Sequence, residues 1–139
     1  MDFYCIIIGD GPNKNLMLKS IKKFDLTQNI FFTGSLSNED VMKYMDASDI
    51  FFLPSLYEGI SLSIFEAMAK ELVIVATNTG GQAELVTDKC GFLIKSNEIS
   101  SDVISYADAI QRLINNPALM VKMGKSGRLR VENFLKFLI

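Results

Sequence analysis

The chain has 139 residues, of which 49% are hydrophobic, a formal net charge of −2 and no histidine. This length suits one α/β domain, no apolar run approaches the roughly 18 residues of a membrane span, and the charge is unlike that of a nucleic-acid-binding surface. Without histidine, the usual general base of serine hydrolases and the commonest zinc ligand are missing. The start of the chain lacks the pattern of a signal peptide, so we expect a cytoplasmic protein that binds a small molecule.

Five short apolar runs predict buried β-strands in chain order: residues 4–9, 29–34, 49–54, 72–77 and 90–95. Each run has a continuous apolar centre, which is typical of strands covered on both faces. Cys5 and Cys90 fall in two of these runs at no metal-ligand spacing, and we expect both to be buried free thiols.

Helices are predicted between the strands, because apolar residues recur there at a spacing of 3.6. The sets are Met17, Ile21 and Phe24; Val41, Met45 and Ser48; Val103, Ala107, Ile110 and Ile114. Residues 37–40 fit a helix capping box, and Asn116-Pro117 marks a break between two C-terminal helices. The alternation predicts one domain over residues 1–139: a doubly wound, mostly parallel Rossmann-like sheet of about five strands with helices on both faces.

The loop after the third strand, PSLYEGISLSIFEAMA (54–69), has the most informative pattern. Ligands of such sheets bind beyond the carboxyl ends of the strands, which is where Glu58 stands. A helix starting near Ser61 and ending near Lys70 would offer free amides to phosphate oxygens. Glu66 has two interpretations: a ligand contact, or the partner of Ser63 in an S-x-x-E capping box. Spacing alone favours the capping box.

Three further patterns are weaker. Residues 9–12 form a Gly-Asp-Gly-Pro turn without the G-x-G-x-x-G spacing, and Gly80-Gly81 suits helix entry better than anion contact. A basic group suits a solvated helix face better than an anionic membrane surface. Its members are Lys122, Lys125, Arg128 and Arg130.

In order and spacing these segments resemble the C-terminal, donor-binding domain of the group 1 (family 4) retaining glycosyltransferases, which have the two-domain GT-B fold. The resemblance covers nearly the whole chain. It is carried by IIIGDGP (6–12), NIFFTG (29–34), VMKYMDASDIFFLPS (41–55), EGISLSIFEAMA (58–69), IVATNTGGQAELV (74–86) and GFLI (91–94).

The resemblance implies roles for individual residues. Glu58 matches the first glutamate of the Glu-x7-Glu motif and is the expected catalytic residue, positioned at the transferred sugar; Glu66 matches the second, which binds the ribose. The remaining expected substrate-binding residues are Gly59, Ile60, Ser61 and Leu62 at the diphosphate, Gly34, Leu36 and Asn38 at the base, and the turn glycines Gly9 and Gly11. No metal ion or other cofactor is expected.

The implied activity is transfer of a hexose, with retention, from a nucleotide-diphosphate sugar to a saccharide or lipid-linked acceptor, as in polysaccharide biosynthesis. We expect the acceptor-binding domain to lie outside this chain, in cis or in trans, and peripheral contact with the inner membrane face. The chain alone should then be inactive, and residues 134–139 should expose an apolar patch that favours self-association. Two departures from the family stand out: Ser61 replaces a frequent Gly, and Glu71 replaces the Gly of a Gly-x-Pro turn.

Other functions remain open on the sequence. The chain fits the donor subunit of a split transferase, or a non-catalytic nucleotide-binding module. A phosphoacceptor receiver domain also has five parallel strands, and Asp10, Thr77 and Lys95 fall near its required positions. The third strand, however, ends in Leu-Pro-Ser without the aspartate that a receiver needs.

Overall fold

The computed structural model describes residues 3–96 and 98–138, which form five strands and six helices. The strands are β1 (Cys5–Ile8), β2 (Ile30–Gly34), β3 (Ile50–Leu53), β4 (Val73–Thr77) and β5 (Gly91–Ile94). The helices are α1 (Lys14–Lys23), α2 (Asn38–Asp46), α3 (Leu62–Ala69), α4 (Gln82–Leu85), α5 (Ile99–Ile114) and α6 (Pro117–Leu138). The predicted alternation of strands and helices is confirmed. Within the described ranges, no helix is both long and apolar enough to cross a bilayer.

The chain divides into two compact units, Met1–Lys43 and Tyr44–Ile139. In the first unit β1 pairs with β2 in parallel, with a register irregularity after Ile7. In the second, β3, β4 and β5 form a parallel sheet in that order. The predicted α/β class with parallel strands is confirmed.

Strand β4 is the centre of the second unit, and all five of its residues are buried. Val73 and Val75 pack with Ala109 and Leu113 of α5 and with Met123 of α6, while α3 also contacts the strand. Burial of each valine, leucine or methionine side chain contributes about 1.5–3 kcal/mol. The expectation that every strand is buried on both faces is wrong for the other four, which carry half-buried or exposed side chains. β3 and β5 are the edge strands of their sheet and each pairs only with β4.

Two helices bury only part of the predicted face. In α1 only Ile21 is buried, and Met17 and Phe24 are exposed. In α5 Val103 is 60% exposed, and the buried residues are Ala109 and Leu113. Much of the circumference of α5 is apolar, so a 3.6-residue spacing can be traced along more than one face of the helix. Packing on β4 decides which residues are fully buried.

The predicted helix ends are confirmed at two places. The Ser37 hydroxyl accepts a hydrogen bond from the Asp40 amide (3.2 Å) and donates one to its carboxylate (2.9 Å). Hydrogen bonds from Lys43 and Ser37 lower the pKa of this exposed carboxyl group. The Asn116 side chain accepts the Leu119 amide at the start of α6 (3.0 Å). The break between the last two helices therefore lies where the Asn-Pro pair predicts it.

The two cysteines differ in burial, although both are free thiols. Cys90 is buried as predicted, whereas Cys5 is half-buried in β1, which belongs to a sheet of only two strands. Its partial burial still raises the pKa of the thiol, because a thiolate is poorly solvated there.

Two of the four members of the basic group on α6, both arginines, make contacts within the protein. Arg128 pairs with Glu132 (3.0 Å) and Glu71 (3.6 Å). Arg130 donates to the carbonyls of Leu85 (2.6 Å) and Glu84 (2.7 Å), at the end of α4. These contacts support a structural role for both arginines.

The end of α6 carries the predicted exposed apolar side chains. Leu135 and Phe137 are exposed, and Phe134 makes an edge contact with Phe65 of α3. The last residue of the predicted patch, Ile139, lies outside the described residues.

The turn after α3 explains one departure from the family pattern. Leu72 N–H bonds to the Ala67 carbonyl and Glu71 N–H to the Met68 carbonyl, both at 3.0 Å, which is the Schellman arrangement of a helix end. Its left-handed position is Glu71, with φ of 64°. Glycine is the favoured residue in this conformation, because an L side chain costs about 1–2 kcal/mol there.

We predict that Glu71→Gly raises the free energy of unfolding by about 1 kcal/mol, because the helix end is kept and the strain is removed. Glu71→Ala is the matched control, since it also removes the pairing with Arg128 but keeps a Cβ. Chemical denaturation should show the highest free energy of unfolding for Glu71→Gly. The unsubstituted chain should be at least as stable as Glu71→Ala. Equal stability of the Gly and Ala variants would contradict the assignment of strain.

A buried polar side chain without a partner lies at Gln82, the first residue of α4. Its side chain is 1% exposed, and neither carboxamide atom has a hydrogen-bond partner among the described residues. An unpaired buried polar group costs about 1–3 kcal/mol in desolvation.

Gln82→Leu should therefore raise the free energy of unfolding by about 1 kcal/mol, since leucine fills a similar volume without polar atoms. Gln28→Leu, at an exposed turn position, is the control and should bring no comparable gain. If denaturation shows that Gln82→Leu destabilises the protein, the carboxamide is satisfied in solution and this account of it fails.

Candidate functional site

The loop between β3 and α3 leads into a helix start that lacks a side-chain cap. Ser61 is the N-cap residue in extended conformation, and its hydroxyl contacts that of Ser63 (2.7 Å) instead of a backbone amide. The first amides of a helix have no intrahelical acceptor and carry partial positive charge. The start of α3 is therefore suited to bind an anion. The predicted helix start is confirmed, as is the end next to Lys70.

Glu58 lies half-buried in this loop, three residues before the N-cap of α3. The Ser55 hydroxyl donates a hydrogen bond to its Oε1 at 2.9 Å. This bond restrains the carboxylate and leaves the other oxygen for a ligand. Ser55 was not among the predicted site residues, although its position directly after a strand could have indicated it.

A second loop, between β4 and α4, contacts the Glu58 loop through backbone atoms. The Gly81 amide donates to the Gly59 carbonyl (3.3 Å), and the Thr79 hydroxyl to the Leu56 carbonyl (3.4 Å). A Cβ on Gly80 would collide with the carbonyl oxygen of Glu58. Gly81 is the N-cap of α4, so helix entry is the correct interpretation of the glycine pair.

Glu66 lies one turn inside α3 and is half-buried. Within the described part of the chain, no side chain or amide hydrogen-bonds to its carboxylate. The capping-box interpretation is wrong, because the N-cap is Ser61 and Ser63 is already helical. Helical side chains lean toward the helix N-terminus, so Glu66 leans toward the uncapped turn.

The other predicted binding residues belong to the first unit. Gly9 donates its amide to the carbonyl of Gly34 (2.8 Å), which joins the loops that follow β1 and β2. Gly11 is exposed in the same turn, Leu36 is half-buried and Asn38 is the first residue of α2. A cavity of about 270 Å³ opens beside residues 7–14 of this unit. Contacts of these five residues with the nucleotide stay predictions.

The receiver-domain interpretation fits poorly with the structure. Thr77, which would have to reach a phosphoryl group, is 2% exposed, and its hydroxyl lies 2.6 Å from that of Tyr106. The residues that the structure describes contain no group of three His, Cys, Asp or Glu able to hold a metal ion.

Known proteins are similar to almost the whole chain. The family model of "Glycosyl transferases group 1" matches residues 1–130. An uncharacterized glycosyltransferase of Haemophilus influenzae is 35% identical over 96% of this chain and 36% of its own length. UDP-Gal:alpha-D-GlcNAc-diphosphoundecaprenol alpha-1,3-galactosyltransferase of Escherichia coli is 32% identical over 95% of this chain and 33% of its own length.

Among solved structures, the C-terminal domain of a group 1 glycosyl transferase from Francisella tularensis superimposes with a TM-score of 0.82 at 25% identity. The match covers 95% of this chain and 69% of that domain. The chain spans about a third of the length of the curated relatives it matches. The extent of the family match, together with the Glu58 to Glu66 segment, shows that this chain belongs to the group 1 glycosyltransferases.

Proposed function

We propose that this chain forms the nucleotide-sugar-binding part of a retaining glycosyltransferase, which moves a sugar from a nucleoside-diphosphate donor to a saccharide or lipid-linked acceptor. The observation that carries the proposal is the uncapped start of α3 between two acidic side chains, Glu58 and Glu66, that can accept hydrogen bonds from ligand hydroxyls. The Escherichia coli relative, named for a UDP-Gal donor and a lipid-linked acceptor, supports this substrate class.

The helix start would act on the diphosphate. Amides at a helix N-terminus donate hydrogen bonds to phosphate oxygens, and the helix dipole favours negative charge there by about 0.3–2 kcal/mol. Charge builds on the diphosphate as the sugar departs, so the same amides also stabilise the transition state. Ser61 keeps its backbone amide available here, although the family often has glycine at this position.

The two carboxylates have different tasks. Glu66 would accept hydrogen bonds from the ribose hydroxyls, which a charged acceptor makes stronger than a neutral one. Glu58, restrained by Ser55, would face the transferred sugar and stabilise positive charge at its reacting carbon, as carboxylates do in glycoside chemistry. We assign Glu58 to positioning and electrostatics. The acceptor-binding domain in cis or in trans, retention and a cytoplasmic location belong to the same proposal.

Titration of the chain with UDP, GDP and ADP, followed by amide NMR, tests the donor site. We expect the amide resonances of Gly59 to Leu62 to shift most, with at least one nucleotide and without added magnesium, because these amides form the anion-binding turn. The paired amides of Asn115 and Asn116, in the exposed link between α5 and α6, serve as an internal reference that should not move. Unmoved Gly59 to Leu62 resonances at millimolar concentrations of all three nucleotides would refute the proposed function.

Glu66→Gln should weaken binding of the nucleotide about fivefold or more, because it replaces a charge-assisted hydrogen bond with a neutral one. Stability should change by less than about 1 kcal/mol, because the carboxylate is not a cap. Glu132→Gln is the control: it removes the same charge from an exposed pair with Arg128 and should leave affinity unchanged. Calorimetry and denaturation measure the two quantities, and equal affinities of the two variants would contradict the role of Glu66.

A further inference from the structure

We propose that the segment Thr79 to Gly81 is a positioning element of the donor site, which fixes the Glu58–Ile60 turn through direct backbone contact. The effect of this segment on nucleotide binding rests on the proposed function. The positioning itself can be measured without a ligand.

Gly80 makes the closest of these contacts. Its φ of 56° is left-handed, and a Cβ there would meet the Glu58 carbonyl oxygen directly and lie 2.8 Å from that of Gly59. Both obstacles are backbone atoms, which cannot turn aside as a side chain can. Any side chain at this position must therefore displace either the Glu58 turn or its own loop.

Gly81 contacts the next residue of the same turn. A Cβ on Gly81 would lie 2.6 Å from Cγ1 of Ile60 and 3.2 Å from its Cδ1. Isoleucine is β-branched and has few side-chain rotamers, so Ile60 cannot easily move away while its backbone stays in place. The Gly81 amide also donates to the Gly59 carbonyl (3.3 Å). The segment thus restrains three consecutive residues, Glu58 and the first two residues of the anion-binding turn.

The positioning segment is itself anchored to the buried sheet. It leaves β4 at Thr77, whose hydroxyl contacts Tyr106 of α5 (2.6 Å), and the Asn78 amide bonds to the Ile94 carbonyl (2.8 Å). β3 and β4 are parallel neighbours, with Leu53 opposite Ala76, so their loops emerge at the same edge of the sheet. The Glu58 turn is therefore held by a rigid element on its neighbour strand.

The first test compares two glycine substitutions of similar steric severity. A Cβ on Gly124 in α6 would collide with the Glu71 carbonyl oxygen, much as one on Gly80 would collide with that of Glu58. Gly80→Ala should shift the amide resonances of Glu58 to Ser61 in the ligand-free chain and weaken UDP binding about fivefold or more. Gly124→Ala should lower stability but leave these amides, and UDP affinity of the folded protein, unchanged.

The second test is a rescue by a second substitution. It shows whether the segment positions the Glu58 turn even if Gly80→Ala does not fold. Gly81→Ala should shift the Glu58 to Ser61 amides and weaken UDP binding about fivefold, because the new methyl group pushes Ile60. Adding Ile60→Ala removes the obstructing Cγ1 and keeps the backbone amide. The double variant should then match Ile60→Ala alone in both measurements.

The positioning role is overturned if Gly81→Ala leaves the Glu58 to Ser61 amides in place, or if the double variant is as perturbed as Gly81→Ala. It is also overturned if Gly80→Ala and Gly124→Ala disturb these amides equally. If the unsubstituted chain binds none of UDP, GDP and ADP, the proposed function fails, while the ligand-free amide shifts still decide whether the segment positions the turn.

Discussion

The burial of β4 is the constraint on which the second unit depends. Its five residues are enclosed by the neighbouring strands β3 and β5 and by helices α3, α5 and α6. A strand without solvent contact can carry only apolar side chains or paired polar ones, and Thr77 satisfies this rule through Tyr106. Because β4 is fixed, the loops that leave its carboxyl end and that of β3 have fixed starting points.

The candidate site follows from that edge of the sheet. Ser55 and Glu58 lie just beyond the carboxyl end of β3, which is where parallel α/β sheets bind their ligands. The Glu58 turn then approaches the Gly80-Gly81 segment so closely that neither glycine can carry a side chain without movement. The positive end of α3 and two carboxylates therefore meet in one short stretch, in which the backbone, more than the side chains, defines the geometry.

Sequence patterns predicted the strands and the order of the helices, because apolar runs and helix-end residues act locally. They failed where the outcome depends on packing. The period along α5 fits two faces, and only contact with Val73 and Val75 selects the face with Ala109 and Leu113.

The candidate site likewise combines residues that the sequence indicated with contacts that only the folded chain reveals. Resemblance indicated Glu58 and Glu66, but spacing favoured a capping role for Glu66 until the helix was seen to begin at Leu62. The contact of Gly80 with the Glu58 turn joins two different loops, and the Ser55 hydroxyl bonds to Glu58 within one irregular loop. Such contacts leave no periodic pattern in one sequence, and the glycine pair alone indicated only helix entry.

A crystal structure of this chain with UDP bound would test the central claim most directly. Phosphate oxygens should lie about 2.7–3.2 Å from amide nitrogens in the first turn of α3, with the ribose at Glu66. UDP bound away from α3, for example in the groove of about 560 Å³ between the Thr87 to Cys90 turn and α6, would contradict the assigned donor site.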